Sequence, residues 1–281
     1  MAGRPIDHTP IVVADLALAR EQYRRLGFKL MPIGYHTGRS TANHIILFEQ
    51  GFTEIVGLID PARHDPVIDD ILRAREGISL IAFLSEDTTA DREVMTAGAL
   101  SVGEVMNLER PVEISGYSGI ARFRLLLLET PEHPLVQLFL TEHLTPEVTR
   151  FPEYLIHPND ALGIQSVTIV ADNPESLRVV FETCIGVDPF VEPDGALVFA
   201  AGRSTVEIIA TGSLGERFPG YEVERQRPYV LGQCLSVGYI PQTTACLAHG
   251  RITFRQESDG VVTVAPEDAC GVLLQFRQQP D

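Results

Sequence analysis

Apolar and β-branched positions crowd residues 6–14 (Ile-Asp-His-Thr-Pro-Ile-Val-Val-Ala), which predicts a strand, with Pro10 marking an edge or a bend. From Asp15 the period changes: Leu16, Ala19, Tyr23 and Leu26 fall on one helical face. Asp15 can cap the free N–H groups of that helix, and Gly27 stands where a C-cap allows positive φ. Three strand-like segments follow at residues 28–33, 42–48 and 52–58, with a polar turn over 34–40. The unit reads β-α-β-β-β.

The same grammar returns at Leu162. Residues 163–171 are strand-like and are followed by Asp172, a helix carrying Leu177, Phe181 and Cys184, then Gly186 and strands at 188–191, 196–200 and 205–210. Aligning Val12-Val13-Ala14-Asp15 with Ile169-Val170-Ala171-Asp172 sets Ile164 on Asp7, Gln165 on His8 and Glu207 opposite Glu54, the mark of an internal duplication. Two weaker copies fill the gaps. One has strands at 79–84, near Val102, at 121–128 and at 135–140, with a helix running from Asp87 to Gly98. The other has strands at 234–240, 252–255, 261–264 and 272–276, with a shortened helix ending at Gly250. The expectation is an α+β protein of four βαβββ modules paired as two cup-shaped domains, residues 1–145 and 161–281. The polar, proline-containing stretch 146–160 has the composition of a linker.

Length agrees, since 281 residues suit about two domains. With 44% hydrophobic and 21% charged residues the composition is that of an ordinary globular chain. A net charge of −16 repels a phosphate backbone, so nucleic acid is not an expected partner. The longest aliphatic run, residues 125–128, is far short of the ~20 residues a bilayer-spanning helix needs. The first residues hold no apolar stretch, so the expected location is the cytoplasm. Four cysteines without a CxxC pair fit reduced thiols. GxGxxG, P-loop, GxSxG and HExxH motifs are all absent.

Tandem modules that open on Ile6-Asp7-His8 and close on a strand carrying Glu54-Ile55 resemble the vicinal oxygen chelate superfamily. Asp15-Leu16, Leu26-Gly27-Phe28 and Thr41-Ala42-Asn43-His44 are similar to its glyoxalase-like branch. The resemblance implies metal ligands on the first and last strands of paired modules, because residues of one parity on a curled sheet all point inward. In the first domain those positions are His8 and Glu54, then Gln137 and either Ser79 or Leu80. In the second they are Gln165, Glu207, Cys234 and Gln275, a set without histidine in which no catalytic metal is expected.

His8, Glu54 and Gln137 would suit a divalent ion such as Zn, Ni, Mn or Fe. Glu54 and His44 are the candidate catalytic groups. Asn43, His36 and His143 are candidates for substrate contact, and His157 for anchoring the linker. The resemblance implies a metal-dependent lyase or isomerase that binds two neighbouring oxygens of a small organic molecule to the ion. The alternative is a metal-free protein that sequesters a small molecule. A dioxygenase fits less well, because it prefers two histidines with one carboxylate. Both a monomer and a homodimer are compatible with four modules in one chain.

Overall fold

The computed structural model describes residues 3–60, 64–98, 100–114, 116–130 and 133–280. The first module is β1 (Ile6–Val13), α1 (Leu16–Arg25), β2 (Gly34–Tyr35), β3 (Thr41–Leu47) and β4 (Phe52–Leu58). Asp15 caps α1 by accepting the Leu18 N–H at 2.9 Å, and Ala19 and Tyr23 form its buried face. The expected strand at residues 28–33 does not form. Phe28 turns into the core beside Tyr23, the Met31 N–H makes a single bond to the Ile45 carbonyl, Pro32 has no N–H to continue it, and the ladder to β3 begins at Gly34, within the stretch read as a turn.

α2 (Pro66–Ala74) and β5 (Gly77–Ile78) lead into the second module, which comprises β6 (Leu80–Leu84), α3 (Thr88–Ala97), β7 (Met106–Ile114), β8 (Tyr117–Leu127) and β9 (Gln137–His143). Neither α2 nor β7 was expected from the sequence, and Val102 makes an isolated bridge to Leu128 rather than a strand. The sheet order is β2-β3-β4-β1-β6-β9-β8-β7, with β5 pairing to β1 off this path. The two modules meet along the antiparallel β1–β6 pair, and each places its first strand parallel to its last, β1 beside β4 and β6 beside β9. The edges β2 and β7 approach each other and close the cup.

The second half repeats the plan. Its elements are β10 (Ala161–Ala171), α4 (Arg178–Ile185), β11 (Phe190–Val191), β12 (Leu197–Ala201), β13 (Ser204–Ala210), α5 (Leu214–Arg217), β14 (Tyr229–Val237), α6 (Ile240–His249), β15 (Phe254–Gln256), β16 (Val262–Val264) and β17 (Leu273–Gln278). Their order is β11-β12-β13-β10-β14-β17-β16-β15. The duplication is offset by one residue from the alignment drawn on sequence. Pro10 pairs with Glu54, whereas Thr168 pairs with Glu207, and the helix cap equivalent to Asp15 is Asn173 rather than Asp172. Ser166 therefore takes the place of His8, and Gln165 that of Asp7.

The halves share one core. On the face of β1 opposite the cup, Thr9 Oγ1 donates to Gln233 Oε1 of β14 at 2.7 Å. Tyr23 donates to the Ala269 carbonyl, and Phe28 stacks on Phe276. The connecting stretch is tied down by His157, whose Nδ1 accepts the Lys29 N–H and whose Nε2 donates to the Leu47 carbonyl. Burial pushes the pKa of that imidazole down, which suits the neutral ring this pattern requires. Among the described residues no helix is long and apolar enough to cross a membrane.

Candidate active site

The concave face of the first sheet encloses a cavity of about 880 Å³ whose lining includes Asp7, His8, His36, Asn43, Glu54, Arg110 and His143. Strict alternation along β1 would put Asp7 and His8 on opposite faces. A β-bulge prevents this: β1 advances two residues, from Ile6 to His8, while its partner moves only from Phe83 to Ala82. Asp7 and His8 both reach the cup as a result.

The two side chains start a line of buried polar groups. Asp7 Oδ2 lies 2.6 Å from His8 Nδ1, and Asp7 Oδ1 lies 2.8 Å from His143 Nε2. Burial alone would raise the pKa of Asp7, but the hydrogen bonds and charges of His143 and His8 outweigh it and hold the carboxyl well below the usual range. For His143, burial works downward, and the Asp7 hydrogen bond and charge prevail to raise it. The linkage signs are opposite. Asp7 contributes stability above the unfolded carboxyl pKa of about 4, and this is lost as pH falls through its depressed folded value. His143 contributes below about 6.5, and this is lost as pH rises through its raised value. Asp7→Asn is therefore expected to lower the His143 titration midpoint in ¹H–¹³C NMR, and an unchanged midpoint would show that the pair does not form.

Because ionised Asp7 can only accept, the hydrogen of His8 sits on Nδ1 and Nε2 faces the cup. There it meets Glu54 Oε2 at 3.7 Å. Glu54 Oε1 accepts from Asn43 Nδ2 at 2.6 Å, and His36 Nε2 lies 3.6 Å away. Burial acts to raise the Glu54 pKa, but His36, the charge of His8 and the Asn43 bond bring it down to about 2. When the ring is neutral, its Nε2 lone pair points at a carboxylate, so the gap between them calls for a proton, a donor or a cation. Phe52 stacks on the His8 ring at 4.3 Å and Phe139 meets it edge-on at 5.3 Å, which fixes its orientation.

A model of the glyoxalase-like domain matches residues 6–184. The chain belongs to the glyoxalase-like domain family. Solved structures carry the likeness across the whole chain and show the fold of two tandem vicinal oxygen chelate domains. A hypothetical protein from Staphylococcus aureus superposes with a TM-score of 0.72 at 12% identity, covering 98% of this chain and 99% of that one. A mutant of 4-hydroxymandelate synthase from Streptomyces coelicolor gives 0.64 at 10% identity, over 99% of this chain and 93% of that one. A xylose isomerase-like TIM barrel/4-hydroxyphenylpyruvate dioxygenase fusion protein gives 0.61 at 13% identity, over all of this chain and 49% of that one. No curated protein matches the chain by sequence.

In this glyoxalase-like cup His8, His36, Asn43, Glu54 and His143 come together, while Gln137 and His44 do not join them. Gln137 begins β9, level with Leu80, and its Nε2 donates to the Pro134 carbonyl. The residues level with His8 across the sheet are Ala82 on β6 and, beside it on β9, Phe139. His44 follows the alternation of β3 to the other face, where it is buried with Nδ1 3.0 Å from the Met31 carbonyl. Burial lowers its pKa.

Among the described residues no three His, Cys, Asp or Glu side chains are placed to hold a metal ion. His8 Nε2 and Glu54 offer two donors, but Gln137 does not join them, and the residues level with His8 on β6 and β9, Ala82 and Phe139, offer none. A catalytic metal ordinarily takes three protein ligands, so this donor set does not fit a resident ion.

The second cup encloses about 630 Å³ lined by Gln165, Ser166, Glu207, Cys234 and Gln275. Its register places Cys234 beside Ser166 and Gln275 beside Cys234. Burial raises the Glu207 pKa and pushes the Cys234 thiol up to about 12, so neither matches the ionised groups of the first cup. Asp7 and Arg110 are the site residues that sequence reasoning missed.

Proposed function

We propose that the N-terminal cup is the active site of an enzyme that moves a proton on a small oxygenated organic molecule, as a lyase or isomerase does. The observation that supports this reading is the buried line His143–Asp7–His8, which ends in the cavity facing Glu54 across a 3.7 Å gap. Glu54, at about 2, is a weak base at neutral pH. In this reading His8 takes the proton, because its Nε2 faces the cavity while Asp7 holds its Nδ1. Asp7 fixes its tautomer and stabilises the imidazolium that forms, as a buried carboxylate does for a catalytic histidine. Glu54 adds negative charge at Nε2 and can orient a substrate hydroxyl. Asn43 and His36 hold Glu54 in place.

Proton exchange tests the reading. A panel of 2-hydroxy and 2-oxo compounds is incubated with the protein in D₂O and followed by ¹H NMR. Wild type is expected to wash out a C–H next to oxygen in at least one of them, and Glu54→Gln to slow that exchange. If no compound exchanges, the cup is a sequestering site, a reading favoured by its Phe52, Phe123 and Phe139 lining.

A second measurement addresses the metal. By inductively coupled plasma mass spectrometry the untagged protein is expected to carry well under one equivalent of Zn, Ni, Mn or Fe. One equivalent per chain, lost in both His8→Ala and Glu54→Ala, would restore the chelate mechanism expected from the family resemblance.

A further inference from the structure

Arg110 lies in the middle of β7, is 6% exposed and lines the cavity. Its guanidinium carries five N–H donors. None of them has a hydrogen-bond acceptor among the described residues. Partly buried arginines elsewhere are paired: Arg4 binds Asp91, Arg75 binds the Val230 and Glu76 carbonyls, and Arg217 binds Glu192 and Asp194, while Arg39 and Arg150, which also line the cavity, are exposed. Burying an unpaired guanidinium is strongly destabilising, and proteins ordinarily pair or hydrogen-bond such a group.

The neighbourhood of Arg110 is shaped to hold it at the cup wall. A Cβ on Gly34 would lie 2.5 Å from Arg110 Nη1 and 2.7 Å from Asn43 Oδ1, so only glycine leaves room for the guanidinium against β2. Asn43 Oδ1 is itself buried without a partner, and pairing with it would occupy a single N–H. Glu54 is the charged group that acts on Arg110 most, but its oxygens face Asn43, His36 and His8.

We propose that Arg110 is the receptor for the carboxylate of a substrate whose apolar body lies against Phe52, Leu108, Phe123, Leu125 and Phe139. The planar fork of a guanidinium matches a carboxylate bidentately. A single negative charge is favoured over a phosphate dianion, because ionised Asp7 and Glu54 already line the cup, and the lining carboxylates, Glu49, Asp65 and Glu86 among them, outnumber its other arginines, Arg39 and Arg150. This inference rests on the first cup being a small-molecule site and names the chemical class it takes.

The test is isothermal titration calorimetry of the full chain with 3-phenylpropionate, cinnamate and octanoate, and with the neutral amide of each. At least one carboxylate is expected to bind with Kd below about 1 mM, and its amide about tenfold or more weaker. Arg110→Met should erase that preference. Gly34→Ala, which displaces the guanidinium without removing it, should reduce it, and so guards against an Arg110 variant that fails to fold. The proposal is overturned if none of the acids binds, if an amide binds as tightly as its acid, or if both variants keep the preference. His8→Gln separates this from the enzymatic reading, since it should keep carboxylate binding while losing proton exchange. Arg110-dependent binding without any exchange by wild type would leave the carboxylate site standing and overturn only the proton-transfer function.

Discussion

Replacing His8 with glutamine is expected to slow proton exchange by about a hundredfold to ten-thousandfold, the range a positioned general base supplies. Glutamine keeps the approximate length and a polar end but takes no proton at neutral pH. Asp7→Asn should cost nearly as much while leaving His8 in place. An asparagine amide can donate to Nδ1, so the ring hydrogen would move to Nε2, which is the wrong tautomer for a base. Initial exchange rates in D₂O for the two variants, compared with wild type at the same melting temperature, check both. A His8→Gln protein that exchanges within threefold of wild type would remove His8 from the chemistry. Loss in His8→Gln with full activity in Asp7→Asn would leave the base but not its orienting carboxylate.

The second large effect concerns the docking of the two halves. A Cβ on Gly250 would fall 2.0 Å from the Arg25 carbonyl oxygen and 2.9 Å from its carbon, where the end of α6 meets the end of α1. Both neighbours are main chain and cannot swing aside as a side-chain tip would. Arg25 also donates to the Gly250 and Arg251 carbonyls there, so a shift would break those bonds too. Gly250→Ala is expected to destabilise the protein by about 2–4 kcal/mol, and to lower Tm by on the order of 10 °C. Gly212→Ala is the control, because a Cβ there meets nothing within 4 Å. Equal chemical-denaturation midpoints for the two variants would show that the α1–α6 crossing yields at little cost.

The modules were legible because their punctuation is local. Asp15 and Asp87 cap helices, and Gly27 and Gly186 take the left-handed conformation after α1 and α4, so hydrophobic period and turn residues agree. β7 escaped although its pattern is plain in retrospect: Met106, Leu108, Arg110, Val112 and Ile114 alternate with exposed Asn107, Glu109, Pro111 and Glu113. The strand expected near Val102 stood in its place, and Arg110 and Pro111 interrupt the apolar alternation of residues 106–114. Pro111 is tolerated because β7 has a single hydrogen-bonded neighbour, β8.

His8, Glu54, Asn43, His36 and His143 were named through the family resemblance, which supplied the inward parity that spacing alone did not, and all five line one cavity. Asp7 was not, because alternation assigns it to the opposite face and only a bulge, invisible in composition, turns it inward. Gln137 failed for the same kind of reason. Which residue stands level with His8 depends on interstrand register, and that is fixed by pairings between residues far apart in sequence, His8 with Ala82 and Ala82 with Phe139.

Mechanically, the first cup is a split ring. Every junction from β2 round to β7 is stitched by main-chain hydrogen bonds, whereas β2 and β7 meet where the Arg110 side chain lies against Gly34, with no strand pairing between them among the described residues. Parting along that one seam would therefore cost no ladder bond, whereas opening any other junction of the ring would break main-chain pairing.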